Sequence, residues 1–426
     1  MKARTWCSVV VLFLAGCAAT PPPKLASEGP PWLPPYSRDQ LALLTPQGEI
    51  PPVKAVRAYP DASRFHYAHD HQLEDPAAAM RATKLVTDLV EESGRLYLMT
   101  DTPPNLENRI AQYGPPSPPA PRATSVASRD FEGRLTLREV PLSEEARAAL
   151  ADADAASAAR DWGAAAGHLR AAADLAPTSL EPLARALELH TLSKDLTRLH
   201  EVAHAALELD PTFAPAHVAE ARSLFASGDA AAAKESVAQA LAYHPTLEEA
   251  LLLAAELREH EGVRAPTRAE PYRIFLEVDD AGVVRVGSAP TSGARMYAGC
   301  RALMRYELEL RAALFDEPES TPYFLSAAEE MFCTESAIGA YVAEQAVARE
   351  HGATPPEDDQ TGALMGLAHT EGLLGFIMFE VLGRHRPDVA RTAPRFVHRA
   401  MVAYAKRHVL GFEPSLEDAS YAAMVP

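Results

Sequence analysis

Leu175-Ala176-Pro177, Leu209-Asp210-Pro211 and Tyr243-His244-Pro245 follow one another at intervals of 34 residues. Five residues before each Pro stands an Ala (Ala172, Ala206, Ala240). Eight before stand Leu169, Ala203 and Val237, and twelve before stand Ala165, Leu199 and Ala233. The whole stretch from Ser143 to Gly262 is rich in Ala and Leu, with apolar residues at helical spacing and strong helix formers between them. A small residue is needed where two helices touch. Pro ends the second helix of each pair, because it lacks the backbone donor and its ring clashes with the preceding turn. Arg160-Asp161-Trp162 and Gly228-Asp229 supply breaks inside the pairs. The period predicts three helix pairs over 143–262, closed by a further helix from Leu247 to His260.

Two helices per 34 residues, closed by Pro, resemble the tetratricopeptide repeat. The resemblance implies an α-solenoid whose first helices line a concave face. On that face it places Leu150, Asp154, Ala184, Glu188, Thr191, Val218, Arg222 and Phe225, a mixed groove suited to a peptide helix or segment. The alternative is that these positions pack against the chain's own N-terminal segment or hairpin. The sequence departs from the family in three ways. Its first helices lack the usual Trp, Gly and Tyr positions, Lys194-Asp195 replaces a Gly turn, and the Lys/Asn constellation that grips terminal carboxylates is missing.

The N-terminus carries an address. Lys2 and Arg4 precede an apolar run from Trp6 to Ala15. That run is shorter than the ~20 residues a membrane span needs, and small residues follow it, the layout of a cleaved signal peptide over 1–16. Leu14-Ala15-Gly16-Cys17 resembles the lipobox of bacterial lipoproteins. The resemblance implies acylation of the Cys17 thiol, each buried CH₂ contributing ~0.8 kcal/mol to membrane attachment. Ala18 in place of Asp resembles an outer-membrane sorting signal. The implied location is the cell envelope, lipid-anchored, at the outer membrane and facing the periplasm. Residues 17–35 are Pro-rich and read as an extended tether, ~3.1 Å per residue.

The expected fold class is mainly α: the helical repeat, then a β-hairpin and a C-terminal helical domain, behind an extended Pro-rich N-terminal region. Within the segment 36–122, Pro76 to Gly94 reads as a helix, Arg95 to Thr100 as a short strand and Gly114 to Pro121 as a linker. Phe131 to Val140 alternates like a strand within 123–142. Two β-rich runs flank Asp279-Asp280-Ala281-Gly282, a hairpin signal within 266–290. The remainder, 291–426, predicts helices near 294–315, 322–351, 360–384 and 388–409. The third is apolar nearly all round and predicts burial. His369, Glu371 and Glu380 argue against its spanning a membrane.

Of the four cysteines, Cys7 leaves with the signal peptide and Cys17 is acylated, which leaves Cys300 and Cys333 for an oxidising compartment. If the helices over 294–315 and 322–351 form a hairpin turning near residue 318, both cysteines lie at similar height, and a disulfide is expected. Net charge is −18, and −20 once Lys2 and Arg4 are removed, since 38 basic residues then face 58 acidic ones. That balance argues against a nucleic-acid partner and offers no basic patch for anionic lipids.

Chemistry is sparse. His66, His69, Asp70 and His71 could supply metal ligands. The run loosely resembles that of metallo-β-lactamases, with different spacing, and a solvated His-rich loop is the plainer reading. Glu329, Glu330 and Glu335 read as a solvated helix face, and His369 and Glu371 as core polar groups. No nucleophile elbow, phosphate loop, His-Glu-x-x-His or Cys-x-x-Cys motif occurs. No cofactor is implied. The expected function is a lipid-anchored scaffold with a protein or peptide partner. The alternative is an envelope hydrolase using metal at the His66–His71 cluster or a site in the C-terminal helices.

Overall fold

The computed structural model describes residues 97–100, 125–129, 135–278, 282–315, 323, 325–354, 356–369 and 372–412. Cys17, the tether, the helix expected over 76–94, the linker at 114–121 and the His66–His71 cluster lie outside them. In chain order the strands β1 (Tyr97–Thr100), β2 (Ser125–Arg129) and β3 (Leu135–Glu139) come first. Seven helices follow: α1 (Glu144–Ala158), α2 (Trp162–Leu175), α3 (Glu181–Ser193), α4 (Leu196–Leu209), α5 (Ala214–Ala226), α6 (Ala230–Tyr243) and α7 (Glu248–Glu261). Strands β4 (Phe275–Val278) and β5 (Val284–Gly287) lead into α8 (Ser292–Tyr306), α9 (Leu308–Phe315), α10 (Ala327–Glu350) and α11 (Asp359–His369). The chain then continues through α12 (Leu373–Phe376), a π-wound turn at Ile377–Leu382, α13 (Gly383–His385), α14 (Pro387–Thr392), α15 (Arg395–Ala405) and a second π-wound turn at Lys406–Leu410. Among the described residues the protein is mainly helical, as expected, with two small sheets.

Two compact units emerge, each assembled from separated stretches. Among the described residues, the first holds 97–100 and 272–369, and the second holds 125–271 and 372–412. The region 291–426, read from sequence as one domain, is divided between them. The helix expected over 360–384 accordingly ends at His369 and resumes at Leu373. Those expected over 294–315 and 388–409 are also interrupted. Glu307 leaves helical geometry at φ −113°, and Ala393-Pro394 ends α14.

In the second unit the same local devices recur at each helix pair. Asp161, Asp195 and Asp229 cap α2, α4 and α6, each carboxylate accepting a backbone N–H: from Ala164 at 3.0 Å, Arg198 at 3.1 Å and Ala232 at 2.9 Å. The residue before each cap is left-handed: Arg160 at φ 58°, Lys194 at 59° and Gly228 at 89°. Only the last is the glycine that this geometry favours. Lys194-Asp195 therefore makes the same turn that Gly228-Asp229 makes. Ala172, Ala206 and Ala240 have no exposed surface, and Ala165, Leu199, Ala233, Leu169, Ala203 and Val237 are buried beside them. Each helix packs on the next, and α3, α5 and α7 also touch in series.

Helix α15 lies on α6 and α12. A side chain at Gly375 would sit 2.6 Å from the Ala400 carbonyl oxygen, so glycine is what lets α12 and α15 approach. Strands β2 and β3 form an antiparallel pair in register Ser125–Glu139 to Arg129–Leu135.

In the first unit β5 is central, antiparallel to β4 and parallel to β1. Helices α8 and α10 pack together and are joined by the Cys300–Cys333 disulfide, with 5.5 Å between the Cα atoms. The bridge closes a span of 33 residues. In the chain-entropy picture this contributes roughly 3–4 kcal/mol. The Cys300→Ala/Cys333→Ala protein is accordingly expected to lose that much in urea denaturation, and an unchanged midpoint would reject the estimate.

Candidate functional site

The groove positions fall into three groups. Leu150 and Val218 are buried, at 6% and 5% exposure. Leu150 packs with Ala153, Ala165, Leu169 and Leu189, so it serves the core rather than a ligand. Ala184, Arg222 and Phe225 are half-buried. Ala184 leans on the cluster around Leu187, Leu199 and Phe213, and Phe225 meets the edge of His260 at 5.2 Å between ring centres. Asp154, Glu188 and Thr191 are exposed. Asp154 pairs with Arg185 at 3.3 Å, linking α1 to α3, and Thr191 donates to the Leu187 carbonyl at 2.8 Å. What stays exposed of the groove positions is thus polar and mainly acidic; Leu192 of α3 is 62% exposed and Leu252 of α7 53%.

Sequence reading missed four polar clusters, three of them buried. In the first unit, Glu329 and Glu330 are not a solvated helix face. They have 0% and 2% exposure, because the N-terminal half of α10 is enclosed on almost all sides. Arg301, on α8 and fully buried, forms ion pairs with both, at 3.0 Å to Glu329. It also donates to the Tyr323 hydroxyl at 3.2 Å, which in turn donates to Glu329 at 2.9 Å. Tyr297 donates to Glu330 at 2.5 Å, and Arg311 reaches Glu329 at 3.4 Å. Burial alone would lower the Arg301 guanidinium, but Tyr323, Tyr297, Glu329 and Glu330 around it hold it well above its ordinary value. Burial raises Glu330, opposed by Arg301, and raises the enclosed Glu335 well above the carboxylate range.

In the second unit, Asp210 is the hub of another network. Its carboxylate accepts from the backbone N–H of Ala127 at 2.7 Å, from the Thr212 N–H at 2.8 Å and hydroxyl at 2.7 Å, and from Arg391. Arg391 further donates to Thr212 Oγ1 at 3.0 Å and to the Ser125 carbonyl at 2.9 Å. The Asp of Leu209-Asp210-Pro211 thus ties the end of α4 to β2 and α14. The same unit buries Glu380 inside the first π-wound turn, where it accepts from Arg268 Nε at 2.8 Å, Arg384 at 2.6 Å and the Tyr404 hydroxyl at 3.1 Å. Glu380 was legible only as a polar interruption. The side chain of His369 and all of Glu371 lie outside the described residues.

The fourth cluster is a half-buried ring stack. Tyr243 of α6 lies between His398, at 3.9 Å, and His217, at 5.6 Å. His398 Nε2 meets Gln239 Oε1 at 2.7 Å, and its Nδ1 is enclosed without a hydrogen-bond partner. Burial, helped by the neighbouring His217, pushes His398 down to about 3. Burial also lowers His217, opposed by its bond to the Pro211 carbonyl and by Glu220 and Asp210. In the unfolded chain these imidazoles titrate near 6.5. Between those values the unfolded chain binds a proton that folded His398 does not. The stabilisation is therefore complete above 6.5 and is lost as pH falls towards 3. From His398 alone, stability at pH 5 should be about 2 kcal/mol below that at pH 7.5. Urea midpoints at the two pH values measure this, and the His398→Gln protein should show a flatter dependence.

Among the described residues no three His, Cys, Asp or Glu side chains group to hold a metal, and no helix is long and apolar enough to cross a membrane. No family model, curated protein or solved structure matches this chain.

Proposed function

We propose that the protein is an extracytoplasmic lipoprotein, tethered through acylated Cys17 at the outer membrane and facing the periplasm. There it acts as a scaffold that holds a protein or peptide partner of an envelope assembly on tetratricopeptide-like repeats. One observation carries the reading. A left-handed residue, a capping Asp and a buried Ala recur through three successive helix pairs at one spacing. Stacked pairs of this kind present their first helices as a continuous face, and here that face keeps Asp154, Glu188 and Thr191 exposed. The disulfide of Cys300 and Cys333 accords with an oxidising compartment.

Two measurements test the proposal. Mass spectrometry of the mature N-terminus should find an acylated Cys17, and the Cys17→Ser protein should move to the soluble fraction; an unmodified thiol rejects the anchor. Cross-linking followed by capture from membranes should yield a partner that is lost in the Glu188→Lys/Arg222→Glu protein. Capture of the chain alone, under conditions that keep envelope complexes intact, rejects the scaffold. Metal analysis of the Cys17→Ser protein addresses the hydrolase alternative at His66, His69 and His71, and a stoichiometric metal would favour it.

A further inference from the structure

The third helix pair differs from the first two on its outer side. Ala238 and Ala242 of α6 have no exposed surface. One and two repeats earlier, the position of Ala238 carries His204 and Arg170 and that of Ala242 carries Glu208 and Asp174, all exposed. Alanine in place of long charged side chains makes room for another helix, and α14, α15 and the second π-wound turn all pack on α6. A chain of polar contacts crosses the seam between α6 and α15. Lys406, where α15 passes into the π-wound turn, pairs with Glu235 at 2.5 Å. Glu235 also accepts from the Gln239 amide nitrogen at 3.2 Å, which leaves the Gln239 oxygen to meet His398 Nε2 at 2.7 Å. An amide oxygen only accepts, so Nε2 carries the imidazole proton. His398 Nδ1 is then a bare lone pair, enclosed without a partner although the residue keeps some exposed surface.

We propose that this seam is an acid-released latch: proton uptake at His398 Nδ1 frees α15 from α6 while the helix pairs stay folded. A second ring proton would find no acceptor there, and an enclosed imidazolium is costly. The groups around the seam give little relief. From α6, Glu235 is already taken by Gln239 and Lys406. From α5, His217 lies on the far side of Tyr243 and would add repulsion if charged, while Glu220 accepts from the Ser236 hydroxyl at 2.9 Å. Helix α12 brings no titratable side chain. From the first π-wound turn, Glu380 is satisfied by Arg268, Arg384 and Tyr404. Lys406, Arg407 and His408 of the second turn are basic, as are Arg395 and Arg399 of α15 itself. Helical geometry is broken before α15 at Ala393-Pro394 and changes after it in the π-wound turn, so α15 can shift as one piece. His398 titrates near 6.5 once opened and at about 3 when closed, so opening becomes about thirtyfold easier between pH 7.5 and pH 5. It bares Ala238, Ala242 and Tyr243, a narrow apolar face that the first two pairs lack.

Native-state hydrogen exchange of the full-length Cys17→Ser protein at the two pH values, corrected for the intrinsic effect of pH on exchange, tests the latch. A helix of 11 residues is marginal once it leaves its seat, so the α15 amides should lose protection about thirtyfold at pH 5. They should then exchange faster than those of α5 and respond little to low urea, the mark of a local rather than a global opening. The His398→Phe protein can still stack on Tyr243 but takes up no proton, and its α15 protection should be the same at both pH values. A control change at the exposed His204→Gln site of α4 should behave as the parent. Circular dichroism checks folding; if the Phe variant is unfolded, His398→Gln replaces it and the urea dependence of the parent decides by itself. Exchange of α15 and α5 at one rate with one urea slope, α15 protection unchanged by pH in the parent, or an acid response retained without His398 overturns the proposal. None of these outcomes bears on the anchor or on the partner, which their own measurements decide.

Discussion

Replacing Arg301 by Met is expected to destabilise the protein by about 3–5 kcal/mol, among the largest effects of any single substitution here. The guanidinium has no exposed surface and faces Glu329 and Glu330, themselves enclosed. Without it two carboxylates remain in the core of the first unit, with Arg311 at 3.4 Å from one of them. One must then take up a proton or draw in water, and the Tyr297 and Tyr323 hydroxyls, which donate to Glu330 and Glu329, lose the donor that Arg301 offers each of them. The penalty belongs to the stranded charge rather than to any intrinsic strength of the pair. The Arg301→Met/Glu330→Leu protein should therefore recover much of the loss, since apolar replacement of a buried ion pair is often close to neutral and Arg311 remains to pair with Glu329. Urea denaturation followed by circular dichroism measures both. A single-variant loss under about 1 kcal/mol, the range of a surface ion pair, would show that the network is not enclosed as described.

Asp210→Asn should cost a similar amount, about 3–5 kcal/mol, in the second unit. The side chain keeps its shape but loses its charge, leaving the Arg391 guanidinium buried without a counterion. The amide also turns one accepting atom into a donor. One of the bonds from Ala127, Thr212 or Arg391 then becomes a meeting of two donors. Hydrogen exchange gives the sharper readout: the amides of β2, whose Ala127 N–H is bound by Asp210, should lose protection before those of α1. Equal protection in the variant and the parent would reject the role assigned to Asp210.

The two networks also mark where sequence reading stops. The helix pairs over 143–262 are legible because every signal is local. The small contact residue, the terminating Pro and the capping Asp all act within a turn or two of where they stand. The hairpin at Phe275–Gly287 is legible for the same reason, from one turn between two alternating runs. Even the disulfide needed only two helices of the right length and a turn between them. Arg391 and Asp210, by contrast, stand 181 positions apart, and nothing near either one names the other. Glu329 and Glu330 read as solvated because helical periodicity shows which residues share a face, not what covers it. The interruption between His369 and Leu373 was hidden for a related reason, since an apolar run continues across it and periodicity cannot tell one buried helix from two buried in different units. On the groove, spacing gives the register but not the depth. Leu150 and Val218 share a register position with Ala184 and are drawn into the core because they are larger.

The position of β1 bears on how the chain is made. Tyr97 donates to Glu307 across 210 residues, and its strand pairs with Val284–Gly287. A ribosome or a secretion channel delivers the chain N-terminus first. When Tyr97–Thr100 emerges, its partner strand has not yet appeared, and the whole of α1–α7 must pass before it does. The strand must wait with Leu98 and Met99, which stay 42% and 46% exposed even in the finished fold. Pairing over so long an interval is slow and leaves an open edge in the meantime. The nascent protein is thus most vulnerable to aggregation during that delay, and a chaperone that shields extended segments would act on it then.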